Sequence, residues 1–340
     1  MNGKELIHTP EYDFLWNNPH LGSSIVLLTY GGSHAYGTNV ATSDVDIRGC
    51  ALNSKSDILG LTNFEQAVNE ATDTTVYAFN KLIQLLVNCN PNTIEMLGCK
   101  PEHYFYLTDV GQQMIDNRKM FLSKRAFSSF SGYATQQLRR LENALARDAY
   151  PPEAKERHIM NSCNNAMQTF PCRYRTFSPE QIHLKVQDLD GVPTLHADVN
   201  MKDMPLRHLI SISNELTEVA KNYDKINHRN KKKDDAHLNK HAQHLIRLYL
   251  MAIDIFEKEE IITYREADHD LLMSIRNGEF QKEDHTFRSE FFDMVTDYEN
   301  RLAKAKAGTS LPQHPNMKMV EEFVMSVNEK VIMNGKTIAQ

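Results

Sequence analysis

The sequence predicts an α/β (α+β) fold, with strands and helices in the N-terminal third and a mainly α-helical second domain after it. An apolar run at 24–30 ends abruptly at two glycines, as a buried strand does before a tight loop, and apolar residues recur at helical spacing after residue 108. The length of 340 residues favours two domains, because a single core usually stops growing at about 250–300 residues. We predict domains over 1–107 and 108–340, with an irregular or hairpin segment near 150–205.

In the first domain we predict strands at 24–30, 44–52 and around 74–77, followed by a helix over 78–88. The helix is indicated by apolar residues at helical spacing, namely Phe79, Leu82, Ile83, Leu86 and Val87. The sequence Asn90-Pro91-Asn92 ends it, because proline cannot continue the backbone hydrogen bonds of a helix.

The second domain has long stretches of helical periodicity. We predict helices over 124–147, 207–222, 237–257 and 317–332, the third with an apolar stripe of Leu245, Leu248, Ile253 and Phe256. Prolines interrupt the segment between roughly 150 and 200, which we expect to be irregular with one hairpin around 182–196.

Composition excludes several classes of protein. The chain has 38 Lys and Arg against 44 Asp and Glu, which gives a net charge of −6. This charge excludes binding of nucleic acid through bulk positive charge, but it says nothing about a local basic groove. Five widely spaced cysteines without a Cys-x-x-Cys pair argue against a zinc site and favour reduced thiols. Without a secretory signal or a long apolar stretch, we expect a cytoplasmic protein with no membrane partner.

The most informative residues are two aspartates at the start of the second predicted strand. Side chains alternate along a strand, so Asp44 and Asp46 are expected on one face, about 6–7 Å apart. Two like charges on one face favour a bound cation, and hard oxygen ligands favour Mg²⁺ or Mn²⁺ over zinc. The alternative interpretation is an ordinary solvated edge strand.

A glycine turn precedes this pair. Its glycines allow backbone N–H groups to approach an anion, and the hydroxyl of Ser33 adds a donor, although Ser33 is also an ordinary turn residue. A phosphate-binding turn beside a carboxylate pair predicts a metal–nucleotide site, in which two metal ions assist an in-line phosphoryl displacement. A third carboxylate normally completes such a site. We choose Asp73, with Glu70 and Glu65 as alternatives.

These motifs carry a resemblance to a known family. Gly32-Ser33-His34-Ala35-Tyr36-Gly37 followed by Thr42-Ser43-Asp44-Val45-Asp46-Ile47-Arg48-Gly49 resembles the signature of the DNA polymerase beta nucleotidyltransferase superfamily. It is similar in particular to the predicted RNA-repair-associated, polymerase-beta-like nucleotidyltransferases of bacteria and phages. Shorter matches extend the resemblance to about residue 280, interrupted at 150–205: Tyr77, Lys81, Asn90-Pro91-Asn92, Glu95-Met96-Leu97, Ser123-Lys124-Arg125, Tyr133, Gln137, Lys240-His241-Ala242 and His244-Leu245-Ile246-Arg247.

The resemblance implies a mixed sheet with helices and a metal-dependent nucleotidyltransferase (EC 2.7.7 type). Such an enzyme uses two Mg²⁺ or Mn²⁺ ions to move a nucleoside monophosphate from NTP to an acceptor hydroxyl, with release of pyrophosphate. The favoured acceptor is an RNA terminus, either an RNA 3′ end or a tRNA. The alternatives are adenylylation of a protein or small molecule, and a catalytically inactive nucleotide-binding module.

The same resemblance assigns catalysis and metal binding to Asp44 and Asp46, and we add Asp73 as the chosen third carboxylate. The candidate nucleotide-binding residues are Gly32, Ser33, His34, Tyr36, Lys81, Lys240, His244 and Arg247. The last three follow i, i+4, i+7 spacing and so share one helix face, which would otherwise be an ordinary solvated face. His34 either orients the triphosphate or caps the turn, and Lys81 is otherwise simply exposed.

An RNA acceptor also needs a basic path. Basic and aromatic residues are interleaved in the first predicted long helix and before it, a pattern that suits single-stranded nucleic acid unless the aromatics belong to the core. They are Arg118, Lys119, Lys124, Arg125, Arg139 and Arg140 with Phe121, Phe127, Phe130 and Tyr133. A basic segment at 225–240 is a second candidate, or a solubilising loop.

Overall fold

The computed structural model describes residues 3–148, 150–229 and 235–334. Within them, one mixed sheet is built from β1 (Ile25–Tyr30), β2 (Ile47–Ala51), β3 (Gln66–Asn69), β4 (Thr74–Ala78) and β5 (Tyr104–Leu107). The strand order is β3-β4-β2-β1-β5, with β2 and β4 parallel and the other neighbours antiparallel. The predicted fold class, a polymerase-beta-like mixed sheet with helices, is confirmed.

The predicted strands at 24–30, 44–52 and 74–77 are present as β1, β2 and β4. The second was predicted too long, because β2 begins at Ile47 and leaves Asp44 and Asp46 in the loop before it. Pairing with β1 still reaches this loop, since the N–H of Gly31 donates to the carbonyl of Asp46 at 2.8 Å. The short strands β3 and β5 were not predicted; four residues are too few for alternation to stand out.

Helices cover most of the remaining described chain. They are α1 (Gly3–Leu6), α2 (Phe14–Asn17), α3 (Gly32–Tyr36), α4 (Lys55–Leu59), α5 (Phe79–Val87), α6 (Pro91–Ile94), α7 (Asp109–Asp116), α8 (Arg125–Asp148), α9 (Pro152–Met167), α10 (Phe170–Arg173), α11 (Leu206–Arg229), α12 (Asp235–Glu257), α13 (His269–Arg276), α14 (Ser289–Gly308) and α15 (Met317–Asn334). Single 3₁₀ turns lie at Pro10–Tyr12, Gly22–Ser24, Glu95–Leu97, Pro101–His103, Arg118–Phe121 and Pro179–Gln181. None of the described helices is long and apolar enough to cross a membrane.

The predicted helices are present, although α11 extends seven residues past its predicted end at 222. The helix at 78–88 is α5, all five of whose predicted apolar residues are buried, and the four long helices are α8, α11, α12 and α15. The predicted stripe of Leu245, Leu248, Ile253 and Phe256 is buried on α12. Asn90 not only follows α5 but also caps α6, because its side chain accepts a hydrogen bond from the N–H of Asn92.

Two compact units share the chain. The first contains residues 1–136, 243–275 and 292–340, and its main core lies in and around the sheet, with Leu15, Ile25, Leu28 and Ile47 fully buried. The second contains residues 137–242 and 276–291. The division follows contacts rather than chain order, and the predicted domain boundary between 107 and 108 stays a prediction.

The second unit contains the hairpin expected around 182–196. Strands β6 (Ile182–Leu189) and β7 (Val192–Val199) pair through the turn Asp190-Gly191, where both residues have positive φ, as tight hairpin turns require. The expectation of irregular structure before it was wrong for 152–167, which forms α9. Proline at the first position of α9 begins this helix rather than breaking it.

Candidate active site

The glycine turn and the aspartate pair meet at one edge of the sheet. Gly32 begins α3 directly after β1, with φ +51, a conformation that favours glycine. A Cβ atom on Gly32 would lie 1.7 Å from Oδ2 of Asp46, so the carboxylate occupies the space that any side chain at position 32 would need. The two halves of the predicted motif are therefore in direct contact, with Ser33 next in the turn.

The side chains around Val45 divide between core and solvent. Val45 packs against the main core of the first unit, whereas Asp44 is exposed and Asp46 is partly exposed. Two carboxylates beside a glycine turn are the hard oxygen donors that Mg²⁺ and Mn²⁺ prefer, so the pair fits such an ion. Among the described residues, no group of three or more His, Cys, Asp or Glu side chains is arranged to hold a metal ion.

Asp73 lies at the start of β4 and pairs with Arg48. The guanidinium of Arg48 donates to the backbone carbonyl of Asp73 at 2.6 Å and to its carboxylate at 3.2 Å. The N–H of Ile47 also donates to the carbonyl of Asp73, which has φ +42. Asp73 is thus held beside the strand that follows the aspartate pair, and its role as the third carboxylate stays a prediction.

The two alternatives for the third carboxylate lie elsewhere along the neighbouring strands. Glu65 forms an ion pair with Lys81 at 2.9 Å, and this hydrogen bond lowers the pKa of the Glu65 carboxyl. Glu70 is exposed in the turn between β3 and β4. The predicted nucleotide-binding residue Lys81 therefore has a carboxylate partner on the protein itself.

Tyr36, Glu95 and Arg247 form a buried cluster behind the glycine turn. The hydroxyl of Tyr36 donates to the carboxylate of Glu95 at 2.6 Å, and the guanidinium of Arg247 lies over the Tyr36 ring, 3.6 Å from its centroid. Tyr36 is 2% exposed and Glu95 is 7% exposed. The predicted nucleotide-binding residue Tyr36 is therefore buried, and its ring packs against the guanidinium of Arg247.

Burial dominates the electrostatics of this cluster. Desolvation raises the pKa of the Glu95 carboxyl, an effect that Arg247, the Tyr36 hydrogen bond and Arg48 partly offset. Desolvation and the nearby Glu95 raise the pKa of Tyr36 well above its ordinary value, so its hydroxyl stays a donor. Burial raises the pKa of the Tyr77 hydroxyl. The charge of Arg48 lowers this pKa, and the Glu95 carboxylate raises it.

Two of the three residues on the predicted face of α12, His244 and Arg247, belong to the same compact unit as this cluster. His244 accepts a hydrogen bond at its Nδ1 atom from Arg247 at 2.7 Å, and the Nε atom of Arg247 is buried without a hydrogen-bond partner among the described residues. Lys240 is exposed on the part of α12 that belongs to the second compact unit.

His34 lies on the other side of the turn. Its ring stacks on Tyr30 with centroids 5.5 Å apart, and its Nε2 atom is buried without a hydrogen-bond partner in the described part of the chain. At the end of α3, Gly37 has φ +73, and a Cβ atom there would lie 2.4 Å from the ring of Tyr264. Gly37 rather than His34 therefore caps the helix.

Sequence reasoning did not select Arg48 and Glu95 as site residues. Arg48 belongs to the quoted motif string Asp44-Val45-Asp46-Ile47-Arg48-Gly49, so the motif itself contained that signal. Glu95 is an acid inside the apolar run Ile94–Leu97, and a charged residue is rarely buried without a partner.

The residues of the proposed basic path have different environments. Arg118 and Lys119 both pair with Glu260, while Phe121 and Phe130 are buried in the core, as the alternative interpretation held. Tyr133 is partly exposed, and its hydroxyl accepts a hydrogen bond from Asn90 at 3.3 Å. Half of the six basic residues in the 225–240 segment, namely Lys231, Lys232 and Lys233, lie outside the described residues.

The mixed sheet, with its glycine turn in contact with Asp46 of the Asp-x-Asp pair, agrees with a polymerase-beta-like fold. Comparison with known proteins agrees: residues 13–155 match the model of the RNA repair pathway DNA polymerase beta family, which confirms the resemblance over this part of the chain. The name of that family describes polymerase-beta-like proteins of RNA repair.

A related phage protein extends the similarity. An uncharacterized 38.9 kDa protein from the nrdC-mobD intergenic region of Enterobacteria phage T4 is 21% identical over 337 residues, covering 89% of this chain and 96% of the relative. No solved structure gives a significant match to the chain.

Proposed function

We propose that this protein is a metal-dependent nucleotidyltransferase that moves a nucleoside monophosphate from NTP to the hydroxyl of an RNA terminus and releases pyrophosphate. The single observation that carries the proposal is the contact between Asp46 and Gly32. It joins a carboxylate pair suited to a divalent ion to a turn suited to phosphate, and these are the two components that a metal–nucleotide site needs.

Each residue of the site has a role in this proposal. Asp44 and Asp46 would hold Mg²⁺ or Mn²⁺, with Asp73 as the third carboxylate. The chemistry that two such ions supply when bound is charge neutralisation on the departing pyrophosphate and a lower pKa for the attacking hydroxyl. Gly32 and Ser33 donate to the β- and γ-phosphates, and Arg247 adds a fixed positive charge.

The RNA acceptor is the part of the proposal that the family description supports. To test it, the purified chain is incubated with Mg²⁺, each of the four NTPs labelled at the α-phosphate, and total cell RNA or total cell protein. We expect label in material that RNase removes and protease does not, together with release of pyrophosphate.

Other outcomes separate the remaining functions. Label that only protease removes would overturn the RNA acceptor and leave a protein-modifying nucleotidyltransferase. Pyrophosphate release without label in macromolecules would indicate a small-molecule acceptor. Binding of NTP without any pyrophosphate release would identify an inactive nucleotide-binding module.

A further inference from the structure

We infer that Glu95 is a positioning residue for nucleotide binding, which acts through Tyr36 to hold the guanidinium of Arg247 in the orientation that binds the triphosphate. This inference rests on the proposed function, because it assigns a role within the same site. It adds a residue that the sequence pattern did not select.

Glu95 is buried. It lies in the 3₁₀ turn Glu95–Leu97, immediately after α6, where its chain neighbours Ile94 and Met96 are buried as well. Burying a carboxylate in such surroundings is costly unless opposite charges and hydrogen bonds compensate. The compensation comes from the hydroxyl of Tyr36 and the positive charges of Arg247 and Arg48.

Arg247 is held in one orientation by its neighbours. An arginine on a helix surface has many accessible rotamers, so ordering its side chain costs conformational entropy. Here the guanidinium packs on the face of the Tyr36 ring and donates a hydrogen bond to Nδ1 of His244 at 2.7 Å. Tyr36 can hold this position only if its own ring is fixed, and the hydrogen bond to Glu95 fixes it.

The Arg247 guanidinium keeps unused binding capacity. Within the described part of the chain it packs on the face of one ring and donates to one imidazole nitrogen, and its Nε atom has no hydrogen-bond partner there. A guanidinium that is held in place but incompletely bonded is suited to a planar contact with phosphate oxygens. The terminal nitrogens of Arg265, by contrast, are bonded to two carboxylates of the protein, Asp254 and Asp268.

A double-mutant cycle on the full chain tests the inference. The variants are Glu95→Gln, Arg247→Lys and the double variant, and the readout is the Kd of ATP and of tripolyphosphate in Mg²⁺, measured by calorimetry. We expect each single variant to raise both Kd values about tenfold, and the double variant to raise them about tenfold rather than a hundredfold, because the residues act as one unit.

The matched control is a second tyrosine–carboxylate pair. Tyr249, also on α12, donates to Glu299 at the same distance of 2.6 Å. Glu299→Gln removes an equivalent charge and is expected to leave both Kd values unchanged. Tyr36→Phe provides a second variant that keeps the ring beneath Arg247 and removes only its hydroxyl, so it tests the link even if Glu95→Gln fails to fold.

The possible results separate this inference from the proposed function. Additive effects in the cycle, or unchanged Kd values in Glu95→Gln and Tyr36→Phe, would overturn the positioning role even if the protein transfers nucleotides. No binding of either anion to the unaltered chain would overturn it as well. Coupled losses of binding in a protein that transfers nothing would support the positioning role while the proposed function fails.

Discussion

The hydroxyl of Tyr36 donates a 2.6 Å hydrogen bond to the buried carboxylate of Glu95, which lies 59 residues further along the chain. This bond connects the helix after the glycine turn to the 3₁₀ turn that follows α6. The Tyr36 ring also packs against the guanidinium of Arg247 on α12. The hydrogen bond and this ring contact together connect three separate segments of the first compact unit.

The first prediction concerns the aspartate pair. Asp44→Asn and Asp46→Asn each remove one anionic ligand, and we expect nucleotidyl transfer to fall at least about a hundredfold, since bound metal contributes several kcal/mol to such reactions. The melting temperature should change little, because neither side chain is buried. Asp293→Asn, an exposed aspartate on α14, is the charge-matched control. Full activity in both site variants would remove the basis for the proposed function.

The second prediction concerns the glycine turn. In Gly32→Ala, the new Cβ atom would collide with the Asp46 carboxylate and the alanine would have to adopt positive φ. We expect a loss of about 1–2 kcal/mol in unfolding free energy and at least about a hundredfold in turnover, because small misplacements of reacting groups have effects of that order.

A matched glycine supports this comparison. Gly132 lies in α8, where an added Cβ meets no atom within 4 Å. Gly132→Ala should therefore stabilise the protein by about 0.5–1 kcal/mol, through the higher helix propensity of alanine, with unchanged turnover. Urea unfolding and a pyrophosphate-release assay measure both quantities. Equal behaviour of the two variants would contradict the role of Gly32.

The third prediction identifies the third carboxylate. Asp73→Asn keeps a residue that tolerates positive φ and removes only the charge. We expect turnover to fall at least about a hundredfold. The stability change should stay below about 1 kcal/mol, because Asp73 is largely exposed and an exposed ion pair contributes little. Glu65→Gln and Glu70→Gln are measured in parallel. A larger loss in either of them would transfer the role from Asp73 to that residue.

The fourth prediction concerns a buried ion pair. Arg265 is bonded to Asp254 at 2.5 Å, and both side chains are buried. Asp254→Asn should lower the unfolding free energy by about 3–5 kcal/mol, because it leaves a buried guanidinium without its main counter-charge. Glu322→Gln, which removes the exposed pair with Lys318, should cost less than about 1 kcal/mol. Similar losses in the two variants, measured by urea unfolding, would show that burial does not decide the difference.

The fifth prediction concerns pH. Burial raises the pKa of the Glu95 carboxyl in the folded protein above the value of about 4.3 expected in the unfolded chain. The folded state therefore binds the proton more tightly, and the stability contributed by Glu95 is present below pH 4.3 and lost as pH rises through the folded pKa. Relative to Glu95→Gln, the unaltered protein should lose stability across this interval.

Urea unfolding of both proteins at several pH values from 4 to 8 measures this difference. Glu299→Gln again serves as the control for a tyrosine-bonded carboxylate near α12. A difference between the unaltered protein and Glu95→Gln that stays constant with pH would mean that Glu95 titrates at its ordinary pKa when folded.

The local sequence determined the parts of the fold that depend on short-range patterns. The strand at 24–30, its end at two glycines and the helix at 78–88 follow from runs and periods within ten residues, and all are present. The short strands β3 and β5 lacked such a signal. The position of β5 depends on pairing with β1, which lies far from it in the sequence. The position of β3 depends on pairing with β4 over only four residues.

The site shows the same division. The sequence alone placed Gly32, Ser33, Asp44 and Asp46 in one motif, because the strand end, the glycine turn and the Asp-x-Asp pair are local features that together carry the family resemblance. The predicted strand alternation does not describe the pair, since Asp44 and Asp46 precede β2. Only the tertiary structure decided the partners: Arg48 for Asp73, Lys81 for Glu65, and Glu95 for Tyr36. These pairs join residues 16 to 59 positions apart, and their choice depends on burial and on which charges the packed elements bring within reach.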